Sequence, residues 1–248
     1  MSDYDNQTIN SKNPLARYAH RTRVRNSIAL ARDRLDSGRI LDYGCGSGVF
    51  VAEMNKLRNA IALGYEPFMD ERFSGGLPIY REFDALRSRA PFATVTLFET
   101  LEHLSESELK EFLDRSFDVL KSDGCILISA PIEIGPSLIL KEMNRSVLKL
   151  KMPEHRFWEF IKATILGIPA RRAENIKCSH RGFDFRSAIS TIKNQGWDVV
   201  ILGFSPIPFL GWYGNSQVFL KANKSSLPTG RSSTVTTPTT SPGPAAGL

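Results

Sequence analysis

The stretch Ile40-Leu-Asp-Tyr-Gly-Cys-Gly-Ser-Gly48 decides the reading of this chain. Arg39 to Tyr43 has strand character, Val49 to Leu57 resumes helical spacing, and three glycines lie between. A strand, a Gly-rich turn and a helix form a nucleotide cradle, because glycine lets backbone approach a ligand closely and helix N-terminal N–H groups face it. Spacing selects the ligand. A dinucleotide fingerprint puts its third glycine three places after the second, whereas Gly48 stands two places after Gly46. Asp42, two residues before Gly44, would repel a pyrophosphate but suits a ligand carrying an ammonium or sulfonium.

Outward from this turn, strand-like and helix-like segments alternate, which is the pattern of an α/β sheet. Pro14 to Leu35 reads as a helix capped by Asn13. Ala60 to Glu66 is a second strand, Pro78 to Phe83 a third and Thr94 to Phe98 a fourth. Ser105-Glu-Ser-Glu108 opens a helix as a capping box, and Lys121-Ser-Asp-Gly124 stops it. Cys125 to Ala130 is a fifth strand, Phe185 to Asn194 a helix, and Trp197 to Leu202 and Ser216 to Leu220 two further strands. Glu66 ends the second strand, where a carboxylate can accept both hydroxyls of a ribose. Phe98-Glu-Thr-Leu-Glu-His-Leu104 follows the fourth strand and brings carboxylates and an imidazole to the same edge.

Length and composition set the frame: 248 residues, 42% hydrophobic and 23% charged, describe a globular chain with enough residues to bury a core. The longest apolar runs are too short, or too broken by Pro and Gly, to span a bilayer. The polar, acidic start lacks the layout of a signal peptide. Cys45, Cys125 and Cys178 are far apart and form no Cys-x-x-Cys pair. That argues against a disulfide scaffold and a cysteine zinc site, and points to a reducing, cytoplasmic compartment. Residues 1–12 read as a flexible arm and 224–248, rich in Ser, Thr, Pro and Gly, as a disordered tail, leaving one domain over 13–223.

The motifs Ile40–Gly48, Gly64-Tyr-Glu-Pro67, Phe98–Leu104 and Leu120-Lys-Ser-Asp-Gly-Cys-Ile-Leu-Ile128, in this order, resemble the class I S-adenosylmethionine-dependent methyltransferases, in particular the group with a "Leu-Glu-His" signature after the fourth strand. The resemblance covers residues 38–131 and resumes weakly at His180 to Val200 and in the final strand. One departure is Phe92-Ala93, where many relatives have Phe-Asp. It implies a doubly wound, three-layer α/β/α fold whose seven-stranded, mostly parallel sheet runs 3-2-1-4-5-7-6 with the last strand antiparallel. It also implies S-adenosylmethionine as cofactor, with Asp42, Gly44, Gly46 and Gly48 beside its methionine end. Glu66 would hold the ribose, Asp84 would sit near the adenine amino group, and Phe98 and Glu99 would flank the methionine part. An oxygen acceptor also needs a base; His103, one turn past the fourth strand, and His180, in Ser-His-Arg-Gly-Phe-Asp184, are the candidates.

Three functions follow as alternatives. The first is an enzyme that methylates a small-molecule or glycan-type, lipid-linked acceptor, at oxygen. The second is an RNA 2′-O-methyltransferase, since Glu99, Glu102, His103 and His180 echo the metal-binding pattern of the small-RNA 3′-terminal 2′-O-methyltransferases. The third is a non-catalytic binding module of the same fold, against which the intact glycines and Glu66 speak. The first is preferred, with no metal assigned and nucleic acid not the expected partner.

The net charge is +6, and the excess is local. Ten Lys or Arg stand against four Glu between Lys141 and Arg181, and Arg17 to Arg34 holds six Arg and one Asp. Residues 132–180 read as a cap inserted after the fifth strand, containing an amphipathic helix over Leu138 to Lys151 and a second over Glu154 to Leu166. Pro131-Ile-Glu-Ile-Gly-Pro-Ser-Leu-Ile-Leu-Lys141 resembles a variant in bacterial methyltransferases of cell-surface glycan or lipid-linked pathways. The basic cap therefore suggests contact with a phosphate-bearing acceptor or an anionic membrane surface.

Overall fold

The computed structural model describes residues 14–34, 38–57, 60–69, 76–143, 156–175, 177 and 179–225. The arm, nearly all of the tail, the Asn13 cap, His155 and the far end of the Leu138–Lys151 helix lie outside these residues.

Helix α1 (Pro14–Arg32) leads into β1 (Ile40–Tyr43), α2 (Val49–Asn55), β2 (Ala62–Tyr65), β3 (Ile79–Tyr80), α3 (Phe83–Arg87) and β4 (Phe92–Leu97). A 3₁₀ turn (Leu101–His103), α4 (Glu106–Val119) and β5 (Leu120–Pro131) follow. Then come α5 (Ser137–Met143), α6 (Phe157–Ile161) with a π turn (Lys162–Leu166), α7 (Phe185–Asn194), β6 (Trp197–Ser205), a second 3₁₀ turn (Pro208–Leu210) and β7 (Gln217–Lys224). The seven strands form one sheet in the order β3-β2-β1-β4-β5-β7-β6. The pairs among β1 to β5 are parallel, while β7 is antiparallel to both β5 and β6. The expected topology is the observed one.

Strand alternation builds the two helix layers. Leu41, Ile126 and Ile128 point to a core shared with Phe112 and Leu113 of α4 and Ile192 of α7. Their neighbours Ile40, Cys125 and Leu127 point the other way, against Ala31 of α1 and Phe50, Val51 and Met54 of α2. Period-2 side chains on a doubly covered sheet make both faces apolar, so β4 is buried along its whole length. Ser105 caps α4 as expected, accepting from Glu108 N–H at 3.2 Å while its own N–H donates to Glu108 Oε2 at 2.7 Å.

The third strand is shorter than expected. β3 pairs with β2 only at Ile79 and Tyr80, and Phe83 already lies in α3, where Phe83 and Leu86 are buried. An apolar pair spaced by three residues suits one helix face, and that periodicity overrides continued strand. In the middle of the sheet, β5 begins at Leu120 and absorbs the anticipated stop signal, its register against β4 shifting between Phe92 and Thr94.

Candidate active site

Parallel strands deliver their carboxyl ends to one edge, and there most of the predicted residues gather around a cavity of about 530 Å³. Asp42 sits near the end of β1, buried, and its Oδ1 accepts from the Thr96 hydroxyl of β4 at 2.7 Å. Burial pushes its pKa up to about 7; the Thr96 hydrogen bond opposes this and the Glu66 charge adds to it. The glycine turn is tied to β2, because Gly44 and Cys45 N–H both donate to the Tyr65 carbonyl, at 2.8 and 3.1 Å. Gly44 has φ +74°, and a Cβ there would stand 2.6 Å from Thr100 Cγ2. Thr100 Oγ1 in turn donates to the Gly44 carbonyl at 3.3 Å, latching the segment after β4 onto the turn. Gly46 differs: φ is +52°, and a Cβ would meet nothing within 4 Å. Its missing side chain leaves the cradle open.

Glu66 turns its carboxylate to this cradle. Oε2 accepts from Gly46 N–H at 3.0 Å and Oε1 from Phe68 N–H at 3.2 Å. Phe98 lines the cavity and meets the Phe50 ring edge-on at 5.2 Å. Glu99 lines it too, in the left-handed region at φ 53°, the sole non-glycine so placed among the described residues. Its carboxylate is heavily engaged: Arg23 of α1 donates to Oε2 at 2.8 Å, Ser129 Oγ to Oε1 at 3.2 Å, and Gln217 Nε2 also to Oε1.

Two expected cofactor residues are not among those lining the cavity. Gly48 is not part of the cavity wall; a Cβ there would come within 2.5 Å of Ile79 Cδ1, so its role is to let α2 approach β3. Asp84 also lies off the cavity wall. Because the chain enters α3 at Phe83, Asp84 falls on the solvent side of that helix, 92% exposed, 3.5 Å from Arg87 Nε and away from the cavity.

Beside the cavity lies the second constellation. His103 lines the wall, and its ring meets that of His180 at 4.9 Å in an edge-to-face arrangement. His180 itself stands behind the wall, with Nε2 3.7 Å from Glu102 Oε1 and Nδ1 4.0 Å from Glu133 Oε1. Glu102 is fully buried, and its Oε2 has no hydrogen-bond partner among the described residues. Burial, then the nearby Glu99 charge, hold it well above the ordinary carboxylate range. Burial likewise lowers the His180 pKa, so the imidazole is neutral near neutral pH. Glu102, His103 and His180 present ligand atoms within 4.8 Å of one another and could hold a divalent cation; Glu99 is not in this group.

Several functional positions gave no sequence signal of their own. Arg23 lay in a recognised basic stretch without an assigned partner. Glu133 forms a 2.8 Å ion pair with Lys141 of α5. Arg172 donates to the backbone carbonyl of Glu102 and, at 3.5 Å, to that of His180, pinning the two segments together. The contacts of Arg23 with Glu99 and of Arg172 with Glu102 join distant parts of the chain.

Comparison with known proteins agrees with this geometry. A family description of a methyltransferase domain matches residues 15–165. No curated protein matches the chain. Among solved structures, a SAM-dependent methyltransferase from Archaeoglobus fulgidus is similar at 15% identity and a TM-score of 0.52, over 81% of this chain and 94% of that one. The 1,6-didemethyltoxoflavin-N1-methyltransferase of Burkholderia thailandensis, solved with its substrate and S-adenosylhomocysteine, is similar at 16% identity and a TM-score of 0.53, over 82% of this chain and 78% of that one. At such identities the structures speak for the fold, and the family match speaks for the chemistry. With an open glycine cradle bordered by two carboxylates at the carboxyl edge of a 3-2-1-4-5-7-6 sheet, the chain belongs to the class I S-adenosylmethionine-dependent methyltransferases, enzymes whose methyl donor is S-adenosylmethionine.

Proposed function

We propose that this enzyme methylates a hydroxyl of a small-molecule or glycan-type, lipid-linked acceptor, with His103 as the base. The supporting observation is the placement of His103 on the wall of the cofactor cavity with its ring against that of His180, which in turn faces buried Glu102.

The residues fit the methyl donor. Glu66 is poised to accept ribose hydroxyls, the open face of Gly46 admits the nucleoside, and Asp42 supplies a carboxylate for the cationic end. When bound, S-adenosylmethionine supplies a sulfonium-activated methyl for in-line displacement. The chain contributes orientation and proton handling. Phe98 and Phe50 shield the cavity beside Glu99, and Glu99, tied to Arg23, Ser129 and Gln217, is fixed in place. His103 takes the acceptor proton as its oxygen attacks. His180 and Glu102 hold the His103 ring in position, and the raised affinity of Glu102 for a proton keeps this buried group uncharged.

Incubating the enzyme and isotopically labelled methyl donor with metabolite and glycan extracts tests the reading, with mass spectrometry as readout. Label is expected in one class of hydroxyl-bearing compound. Label only on nitrogen or carbon, or only on RNA, refutes it. His103→Ala should lower kcat by about 10²–10⁴-fold, as expected for loss of a general base, with cofactor affinity unchanged. Unaltered turnover rules His103 out.

The grouped ligand atoms of Glu102, His103 and His180 favour a second reading, metal-assisted 2′-O-methylation of a terminal ribose. It requires activity to vanish with a chelator and return with Mg²⁺ or Mn²⁺, and RNA affinity to fall steeply with salt. The engagement of Glu99 with Arg23, Ser129 and Gln217 speaks against the four-ligand version.

A further inference from the structure

One helix of this protein is inside out. In α6 and its π turn the buried residues are the small ones, Ala163 and Thr164, while Phe157, Trp158, Ile165 and Leu166 are 61–71% exposed. These four recur at a helical spacing, so they form a stripe on the solvent side, continued by exposed Ile168. Beside them the loop between β6 and β7 presents Phe209 at 86% and Tyr213 at 52% exposure. The two segments touch: a Cβ on Gly167 would stand 2.9 Å from Trp212 Cη2, whose ring packs on Tyr213 at 5.6 Å. The result is a continuous apolar surface of the kind soluble monomers seldom leave bare.

Its position and charge narrow the occupant. Gly135 N–H, just past β5, donates to the Ala163 carbonyl at 2.9 Å, and Gln217, which opens β7, donates to Glu99. The surface therefore lies at the carboxyl edge of the sheet, the edge that carries the cavity. Exposed Arg156, Lys162 and Arg171 accompany the apolar stripe. The nearby carboxylate, Glu159, is 2.5 Å from Arg181 Nη2. Between Asp198 and Lys221 there is no charged residue at all. Aromatic and aliphatic side chains flanked by cations, with the helix's own carboxylate paired, match the interface of a negatively charged bilayer. Among the described residues no helix is long and apolar enough to cross a membrane.

We propose that this surface docks the enzyme peripherally on anionic lipid bilayers, with the side chains of Phe157, Trp158, Leu166 and Phe209 inserted among the headgroups. The docking does not rest on which acceptor is methylated; it places the carboxyl edge of the sheet, and so the acceptor side of the site, at the lipid surface.

The test is sedimentation of the purified full chain with vesicles of phosphatidylcholine alone and of phosphatidylcholine with about one-quarter phosphatidylserine. The expected result is partition onto the anionic vesicles, a blue shift of Trp158 fluorescence, and weakening by salt. The pair Phe157→Ser with Trp158→Ser should lower the partition at least about tenfold while calorimetry shows unchanged cofactor affinity. Lys162→Glu, which leaves every apolar side chain in place, should lower it several-fold and decides the matter if the double variant folds poorly. The proposal is overturned if the chain stays in the supernatant with both vesicles or if Lys162→Glu sediments like the parent. Concentration-dependent dimerisation that shields Trp158 in the absence of lipid also overturns it, in favour of a second copy of this chain.

Discussion

Gly46 and Glu66 act as one device. The turn exposes an N–H that fixes the carboxylate, and the absent side chain leaves room for what the carboxylate will hold. Gly46→Val fills that room and also strains a positive-φ position by about 1–2 kcal/mol. Calorimetry should therefore find cofactor binding abolished in a chain that still folds. Glu66→Ala should weaken the cofactor by about 1–3 kcal/mol, the loss of charge-assisted hydrogen bonds; an unchanged affinity would mean that Glu66 only braces the turn. Asp42 adds a pH dependence. With its pKa raised to about 7, the side chain is largely neutral at pH 6 and ionised at pH 8. Only the ionised form attracts a cationic ligand, so cofactor affinity should rise as pH climbs through 7, with proton release on binding, by up to roughly tenfold, about 1.4 kcal/mol. Titration calorimetry at several pH values checks this, and Asp42→Asn should flatten the profile.

At the scale of elements, α1 is part of the site rather than a decoration of it. Arg23 reaches from α1 to Glu99, and Asn26 Nδ2 donates to Ser205 Oγ at 3.2 Å, so the helix is clamped to the carboxyl ends of both β4 and β6. Arg23→Ala removes the cation from a partly buried carboxylate held at positive φ. We expect a loss of about 1–2 kcal/mol in stability by denaturant titration, faster hydrogen exchange in α1, and weaker cofactor binding. Unchanged exchange in α1 would show that packing of Ala31 and Ile28 holds the helix without this clamp.

For the molecule as a whole, ligand binding and folding are linked. A ligand at about 100 times its Kd stabilises the fold by about 2.7 kcal/mol, and for a domain of this size that raises Tm by several degrees. Burial of Asp42 makes the folded chain hold a proton that the unfolded chain releases near its ordinary pKa of 3.8. This group therefore costs stability progressively as pH rises from about 4 through 7. A bound cation offsets that cost, so the Tm gain from S-adenosylmethionine should be larger at pH 8 than at pH 6 by scanning calorimetry; equal gains would place the cation away from Asp42. Much of this architecture is local in origin. The glycine spacing after β1, the Ser105 capping box and the alternation of strand with helix act over a few residues, so they can be read along the chain, and with them the cradle of Asp42, Gly44, Gly46 and Glu66. Tertiary packing alone decided the rest. Asp84 faces solvent because Phe83 and Leu86 gain more by burial on a helix face than by extending β3. Arg23 joined Glu99 across 76 positions, and His180 came beside His103 and Glu102 through the grip of Arg172. Such contacts depend on where the folded sheet brings distant segments, and short-range spacing carries no record of that.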